Sequence, residues 1–334
     1  MINLCFVTDN GYAMPTGVTI FSIYKNRNPQ NDYVLYVLCK DVNDENKNKF
    51  MQLNERGFQI KLVDCDNEDY SDLYIPGIPA TPTSIYKFFI PNILSNVDKV
   101  LYMDGDIIVT RDLKELYELD IENNYIGAVK DSNGLQRKKY RKRDYSYINS
   151  GVMLMNLKKM RQDDVPSKLI DYRKNGYNKL MDQDTFNFVL RGRIKLLPFK
   201  FNTQLNIISG TVMIKENYNL NNIIDYWKID CSINTIEDIL NSSYILHYTT
   251  AKPWKYYDGY GNDLWLFYYY RSQYGNVNII RTSYHINKLV STKAYKIGYM
   301  LSVPIKKIKN VFKNREKKKY DKFLRLFYTK RENL

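Results

Sequence analysis

The sequence predicts an α/β fold built on a mixed, mainly parallel sheet that is flanked by helices. Strand-like and helix-like segments alternate over residues 2–63, and this βαβαβ order is typical of parallel sheets. A further apolar run, Val100–Met103, indicates a buried strand and stops abruptly at Asp104-Gly105-Asp106. Ligands of open α/β sheets bind beyond the carboxyl ends of the strands. We therefore expect the two carboxylates to lie at a site rather than in the core.

The first of these segments is a predicted strand over Ile2–Thr8, which ends at a turn cluster, Asp9–Tyr12. Helix-like spacing follows up to Tyr24, and the alternation continues with a strand over 33–39, a helix over 44–56 and a strand over 58–63. No Gly-x-Gly-x-x-Gly follows the first strand, which argues against a dinucleotide-binding site.

Later segments extend the alternation. We expect a loop over residues 64–82, a helix over 84–89 that Pro91 ends, and further helices over 111–119 and 163–175. Strands are predicted over 125–129, ending near Asp131, and over 147–156, 194–197 and 244–246. The basic segment 137–143 is typical of a solvated loop. Met181–Leu190 indicates a helix that Asp182 can cap, with Asp184 favouring its first turn.

Composition predicts a globular protein in a reducing compartment. The 334 residues, 44% of them hydrophobic, suffice for one large domain with an appendage. The four cysteines are scattered without a Cys-x-x-Cys pair, which argues against a disulfide framework and a zinc ribbon. The first residues lack a basic segment, and no run approaches the ~20 apolar residues of a membrane span. We expect a cytoplasmic protein.

The formal net charge of +14 is concentrated at one end of the chain. Residues 281–334 hold 16 Lys and Arg against 3 Asp and Glu, a balance of +13, whereas residues 1–280 hold 34 against 33. This contrast predicts a nearly neutral domain over residues 1–280 and a basic helical tail over 281–334.

Three side chains at predicted strand ends have the chemistry of a divalent metal site. Period two places Asp104 and Asp106 on one side of an extended segment, where the carboxylates repel each other unless a cation lies between them. His247 also follows a predicted strand, and two carboxylates with an imidazole suit Mn²⁺ or Mg²⁺. Lys252 can add a positive charge for a diphosphate. The alternatives are an Asp-Gly turn that closes a surface strand and a hydrogen-bonded structural histidine.

Four motifs carry a resemblance to a known family. In chain order they are Asp104-Gly105-Asp106, Asn149-Ser150-Gly151, Asp182-Gln183-Asp184 and His247 followed by Lys252-Pro253-Trp254, within residues 1–265. The set resembles the family 8 retaining glycosyltransferases of the GT-A fold, which include bacterial lipopolysaccharide galactosyl- and glucosyltransferases. The resemblance implies a Rossmann-like nucleotide-sugar-binding domain. It further implies Mn²⁺-dependent transfer of galactose or glucose from a UDP-sugar to a surface glycan, such as lipopolysaccharide or capsular polysaccharide.

The resemblance also implies roles for individual residues. Asp104, Asp106 and His247 would hold Mn²⁺, or alternatively Mg²⁺, against the diphosphate. The implied donor-binding residues are Thr8, Asp9, Tyr12, Lys87, Asp104, Gly105, Asp131, Asn149, Gly151, Asp182 and Lys252. Three features depart from the family pattern. Gly11 stands where asparagine is expected and Lys87 where arginine is expected, and the loop from His247 to Lys252 has Thr249-Thr250 where a glycine is expected and is one residue shorter. Gln183 would lie near the anomeric carbon, and Asp184 resembles a carboxylate proposed in some mechanisms as a nucleophile.

The sequence allows two mechanisms of retention and two other functions. Retention follows either from a same-face reaction, in which the leaving phosphate takes the acceptor's proton, or from a transient adduct on Asp184 or Gln183. A metal-dependent nucleotidyltransferase also uses paired aspartates but would release pyrophosphate. A non-catalytic glycan- or membrane-binding protein on the same fold is a third reading.

The tail adds a predicted partner. Leu301, Ile305, Ile308 and Phe312 share one helix face, with lysines largely off it. A basic amphipathic helix suits an anionic bilayer, so we expect the enzyme at the inner face of the cell membrane beside a lipid-linked saccharide acceptor. A helical hairpin packed on the domain is the alternative. Nucleic-acid recognition modules are absent, which argues against that class of partner, and the oligomeric state stays open.

Overall fold

The computed structural model describes residues 1–67, 70–74, 82–132, 147–175, 181–208, 220–229, 232–233, 235–249, 252–255 and 261–275. The strands in chain order are β1 (Ile2–Asp9), β2 (Tyr33–Lys40), β3 (Phe58–Asp64), β4 (Lys99–Met103), β5 (Ile107–Val109), β6 (Ile126–Lys130), β7 (Ile148–Asn156), β8 (Ile194–Leu196), β9 (Thr203–Gln204) and β10 (Ile245–His247). The α-helices are α1 (Ala13–Asn26), α2 (Asp44–Met51), α3 (Ile90–Ile93), α4 (Lys114–Tyr117), α5 (Leu157–Gln162), α6 (Val165–Lys174), α7 (Met181–Val189), α8 (Leu205–Ile208), α9 (Leu220–Trp227), α10 (Ile236–Ser242) and α11 (Asn262–Arg271). Short 3₁₀ segments lie at Ser71–Leu73, Pro82–Phe88 and Phe199–Phe201.

The chain divides into two compact units. The first is Met1–Thr250 with Ser272–Tyr274, and the second begins at Ala251 and includes α11. The predicted domain boundary at 280, the tail 281–334 and the basic segment 137–143 lie outside the described residues, so these calls stay predictions. None of the helices in the described ranges is long and apolar enough to cross a bilayer.

Seven of the described strands form one sheet in the order β3-β2-β1-β4-β7-β6-β8. The pairs β1–β2, β2–β3, β1–β4 and β6–β8 are parallel, whereas β7 is antiparallel to both β4 and β6. The apolar runs that predicted β1, β2 and β4 are buried, because helices cover the sheet. The predicted mixed, mainly parallel sheet is confirmed.

Two helices end at positions that differ from the predictions. α1 begins at Ala13, after a turn in which the backbone N–H of Tyr12 donates to the Asp9 carboxylate at 2.9 Å, and it ends at Asn26 rather than at Tyr24. α2 is capped by the Asn43 side chain but ends at Met51 rather than near 56. The chain then turns through Gly57, whose φ of 82° favours glycine, into β3.

One expectation about a helix is wrong. Pro91 does not end a helix but lies in the first turn of α3. Proline is tolerated there because the backbone N–H groups of the first turn have no partner within the helix. The helix expected over 163–175 is confirmed as α6, whereas the short helix before it, α5, was not predicted; Asp164, with a left-handed φ of 47°, separates the two.

The main sheet gathers polar residues at one edge. Strands β1, β4 and β6 end there, so Asp9, Asp104 and Asp131 leave the sheet on the same side. Because β7 runs the opposite way, its beginning at Asn149–Gly151 lies at this edge, where the backbone N–H of Asp104 donates to the carbonyl of Gly151 at 2.8 Å.

A second, three-stranded sheet brings the histidine to the same edge. It has the order β5-β10-β9, with His247 opposite Ile107 in antiparallel pairing and opposite Gln204 in parallel pairing. The chain passes from one sheet to the other through Asp104-Gly105-Asp106. The buried Thr19 hydroxyl of α1 lies 2.9 Å from the carbonyl oxygen of Gly105 and 2.7 Å from that of Ile107, and it holds this crossing in place.

Candidate active site

Asp104, Asp106 and His247 form the centre of the site. One ligand atom from each lies within 4.8 Å of the others. His247 Nε2 is 3.2 Å from Asp106 Oδ1 and 4.0 Å from Asp104 Oδ2. Asp106 and His247 are buried, whereas 29% of the Asp104 side chain is exposed to solvent. The cluster is therefore open on the side of Asp104. The structure thus brings together the three side chains that the sequence predicted as metal ligands.

This group fits a divalent cation. Carboxylate oxygens with an imidazole nitrogen are ligands that Mn²⁺ and Mg²⁺ accept. Space for the group depends on Gly151, since a Cβ at that position would lie 2.2 Å from His247 Cε1 and 2.8 Å from Asp104 Oδ2. Gly151, which the resemblance implied as a residue that binds the sugar donor, therefore also lines the ligand cluster.

Lys87 connects the first aspartate to α7. Its Nζ lies 3.0 Å from Asp104 Oδ1 and 2.7 Å from Asp182 Oδ2, and the Tyr102 hydroxyl donates to the same Asp104 Oδ1 at 2.7 Å. Burial acts to lower the pKa of Lys87, but the carboxylates of Asp104 and Asp182 outweigh it, so this pKa is raised and the ammonium stays charged. Oδ1 of Asp104 is thereby engaged, and Oδ2 is the oxygen that faces His247.

A second cluster lies beside the three ligands. Asp131 Oδ2 accepts from Asn149 Nδ2 at 3.2 Å and from Gln183 Nε2 at 3.1 Å, and Asn149 Nδ2 also lies 3.1 Å from Gln183 Oε1. Asp131 and Asn149 are buried, whereas Gln183 is partly exposed. Asp131 and Asn149, implied as donor-binding residues, and Gln183, implied near the anomeric carbon, therefore form one hydrogen-bonded group at the sheet edge, the sugar-side cluster.

The two aspartates of α7 have distinct partners. Asp182 Oδ2 accepts from the Ser150 hydroxyl at 2.8 Å as well as from Lys87. Asp184 accepts from the Tyr147 hydroxyl, and burial followed by this carboxylate raises the pKa of Tyr147, so the phenol remains a donor. Both carboxylates lie in the first turn of the helix, where its dipole also stabilises them.

The end of β1 adds the remaining predicted residues of the first unit. Asp9 Oδ2 accepts from the Thr83 hydroxyl at 3.3 Å, and the buried Thr8 hydroxyl lies 3.2 Å from that of Thr16. Burial raises the pKa of Tyr12, and the negative charges of Asp106, Asp104 and Asp9 add to this effect. A Cβ on Gly105 would lie 2.3 Å from Thr16 Oγ1, so this glycine permits the close approach of α1.

Lys252 is the one predicted residue that belongs to the second unit. Residues 252–255 are described there, and Trp254 packs on Trp265 with ring centroids 5.4 Å apart. The role of Lys252 at a diphosphate stays a prediction.

Sequence reasoning missed one residue of the site, the buried Asn202, which contacts His247 Nδ1 at 3.0 Å. The sequence signal for Asn202 is the polar run Asn202-Thr203-Gln204 next to apolar neighbours. The structure shows that all three residues are buried, where polar side chains need partners.

Known proteins resemble this chain over most of its length. The sequence model described as glycosyl transferase family 8 matches residues 3–258. A lipopolysaccharide 1,2-glucosyltransferase of Escherichia coli is 27% identical over 274 residues, which cover 78% of this chain and 75% of that protein. A Haemophilus influenzae protein is 29% identical over 215 residues, which cover 60% of this chain and only 63% of that relative.

A solved structure shares the fold. The galactosyltransferase LgtC, in complex with donor and acceptor sugar analogues, has a TM-score of 0.68 and 21% identity, covering 84% of this chain and 100% of LgtC. The sheet described above is accordingly that of a GT-A glycosyltransferase. Because the family model matches residues 3–258, well over half of the 334 residues, the chain belongs to glycosyl transferase family 8.

Proposed function

We propose that this protein is a retaining hexosyltransferase that moves galactose or glucose from a UDP-sugar to a surface saccharide, with Mn²⁺ or Mg²⁺ held by Asp104, Asp106 and His247. The observation that carries the proposal is the convergence of those three ligand atoms within 4.8 Å, beside the cluster of Asp131, Asn149 and Gln183. The names of the relatives, a glucosyltransferase and a galactosyltransferase, support the choice of sugar.

The charges of the reaction suit these residues. Breaking the bond between sugar and UDP leaves negative charge on the diphosphate and oxocarbenium-like character on the sugar. A bound divalent cation would stabilise the departing diphosphate. Lys87 neutralises Asp104 and Asp182 and fixes their positions, so that little reorganisation is needed during the reaction.

The burial of Asp184 helps to choose between the two mechanisms that retain the configuration at the anomeric carbon. Asp184 is 6% exposed and already accepts from Tyr147, whereas Gln183 is partly exposed and its amide is held by Asp131. An adduct on Asp184 would require that carboxylate to leave its tyrosine and reach the sugar. These contacts favour the same-face reaction, with Gln183 beside the anomeric carbon.

A donor screen tests the proposal. Purified full-length protein with Mn²⁺ is incubated with UDP-glucose, UDP-galactose, UDP-N-acetylglucosamine or GDP-mannose, and released nucleotide is identified by mass spectrometry. We expect UDP from one of the two UDP-hexoses, and loss of that release on addition of EDTA. Pyrophosphate release would instead identify a nucleotidyltransferase. No turnover and no thermal shift with any nucleotide would identify a non-catalytic protein, and either result contradicts the proposal.

We further propose that residues 281–334 hold the enzyme on the inner face of the cell membrane, next to a lipid-linked acceptor. The support is the +13 charge of this stretch and its apolar positions at helical spacing. We expect the full chain to float with vesicles that contain phosphatidylglycerol and to stay behind with pure phosphatidylcholine. Replacing Lys306, Lys307, Lys309 and Lys313 by Glu should abolish flotation. Equal flotation of the replaced and native chains would contradict the proposal.

A further inference from the structure

A line of buried polar side chains runs from the sugar-side cluster to the imidazole of His247. Asn149 donates to Asp131, Asn202 Nδ2 donates to Asn149 Oδ1 at 2.9 Å, and Asn202 Oδ1 lies 3.0 Å from His247 Nδ1. All four side chains are buried, and Asn202 is fully so. A buried amide keeps its orientation only if each partner matches it, so the direction of this line can be worked out from groups of fixed polarity.

Two such groups fix Asn149. The backbone N–H of Gly151 can only donate, and it lies 3.1 Å from Asn149 Oδ1. Asp131 Oδ2 lies on the other side of the amide, 3.2 Å from Nδ2, where a carboxylate accepts. Both partners require the same orientation, so the oxygen of Asn149 faces Asn202, and Asn202 must present its Nδ2 to that oxygen.

The orientation of Asn202 then decides the histidine. With Nδ2 committed to Asn149, its oxygen faces His247 Nδ1, and an amide oxygen can only accept. Nδ1 must therefore carry a proton, which leaves the lone pair of the neutral imidazole on Nε2. Nε2 is the atom that faces Asp106 Oδ1 at 3.2 Å and Asp104 Oδ2 at 4.0 Å.

We propose that Asn202 is a positioning residue, which together with Asn149 holds His247 in the Nδ1-protonated tautomer and so makes Nε2 a ligand for the divalent cation. The inference rests on the metal-dependent function proposed above. The two neutral tautomers of His247 compete, because the tautomer with its proton on Nε2 would donate a hydrogen bond to Asp106 and close the site to a cation. Asn202 disfavours that tautomer because its oxygen accepts a hydrogen bond from Nδ1–H.

The tautomer can be measured directly, because the chain has only two histidines, His247 and His285. The full-length metal-free protein is labelled with ¹⁵N-histidine, and ¹⁵N–¹H correlation spectra are recorded in alkaline buffer, with His285→Gln assigning the signals. We expect the proton of His247 on Nδ1. A proton on Nε2 in the native protein would overturn the proposal without any variant.

Three variants extend the measurement to metal binding. Asn202→Leu removes the acceptor, and we expect the His247 proton to move to Nε2 and Mn²⁺ affinity, read by calorimetry, to fall by about 10- to 100-fold. Asn202→Asp keeps an acceptor opposite Nδ1 but puts an oxygen in place of the donor to Asn149 Oδ1, so the Nδ1-protonated tautomer should be retained while the hydrogen bond to Asn149 is lost. Asn206→Leu is the matched control, because Asn206 is also buried and accepts from Ser132 at 2.9 Å, away from His247. It should leave both readouts unchanged.

These readouts separate the inference from the proposed function. A native tautomer and Mn²⁺ affinity in Asn202→Leu would refute the role of Asn202, even if UDP is released in the donor screen. A shifted tautomer and weakened Mn²⁺ binding, in a protein that releases no UDP from any donor, would support the role of Asn202 and refute the hexosyltransferase.

Discussion

Replacing Asp106 by asparagine should abolish Mn²⁺ binding and lower hexose transfer by about three orders of magnitude, in the range measured when a preorganised electrostatic contact to a transition state is lost. Asp106 is buried, and its Oδ1 lies 3.2 Å from His247 Nε2. The amide has the same shape as the carboxylate but no charge, so the fold should be kept. The checks are isothermal calorimetry with Mn²⁺, the rate of UDP release, and the rise in Tm on adding Mn²⁺, which should disappear.

Asp112→Asn is the control for this substitution. Asp112 accepts from the backbone N–H of Asn28 at 2.6 Å, from Asn31 at 3.0 Å and from the Tyr33 hydroxyl at 2.8 Å, in a purely structural setting. We expect a lower Tm with unchanged Mn²⁺ affinity, the reverse of the Asp106 variant. Mn²⁺-dependent turnover by Asp106→Asn at the native rate would remove the metal assignment.

Gly151→Ala should have the second largest effect. The added Cβ would meet His247 Cε1 at 2.2 Å, Asp104 Oδ2 at 2.8 Å and Asn149 Oδ1 at 3.1 Å. The imidazole has little freedom to retreat, because Asn202 holds its Nδ1. We expect Mn²⁺ affinity to fall by about 100-fold, comparable to loss of a residue that orients a metal ligand, with a matching loss of UDP release.

Gly127→Ala on β6 is the matched control, since Gly127 lies opposite Leu154 of β7 in the same sheet. The three atoms nearest to a Cβ there are apolar and belong to Leu197 and Ile121, at 3.1 to 3.3 Å. Overpacking of this kind costs about 1–3 kcal/mol of folding free energy. Gly127→Ala should therefore lower Tm but keep Mn²⁺ affinity. If Gly151→Ala binds Mn²⁺ as the native protein does, the cluster is not the metal site.

The sheet and the ligand cluster could be predicted because their signals are local. Apolar runs in the sequence indicate buried strands, and polar residues directly after such runs lie at the sheet edge. These two signals were enough to predict that Asp104 and His247 belong to the same site, as the structure shows. The resemblance to a family supplied the donor-side residues, and the structure places those of the first unit along the same edge.

Asn202, which was missed, has partners far away in sequence. It contacts Asn149 and His247, and no periodicity encodes such pairs. Pro91 was misjudged for another reason, since proline is compatible both with the end of one helix and with the first turn of the next. Local sequence does not distinguish these cases, because the preceding 3₁₀ segment is held by tertiary packing.

The pairing of β10 with β5 has a consequence for how the protein is made. Asp106 and His247 are 141 residues apart in the chain. At ~5–20 residues per second, a ribosome therefore exposes the aspartates about 7–28 s before the histidine. During that interval the nascent chain already contains Lys87 as a partner for Asp104, but it lacks the strand that completes the cluster. A product truncated before residue 247 would thus build much of the main sheet and never acquire the three-ligand site.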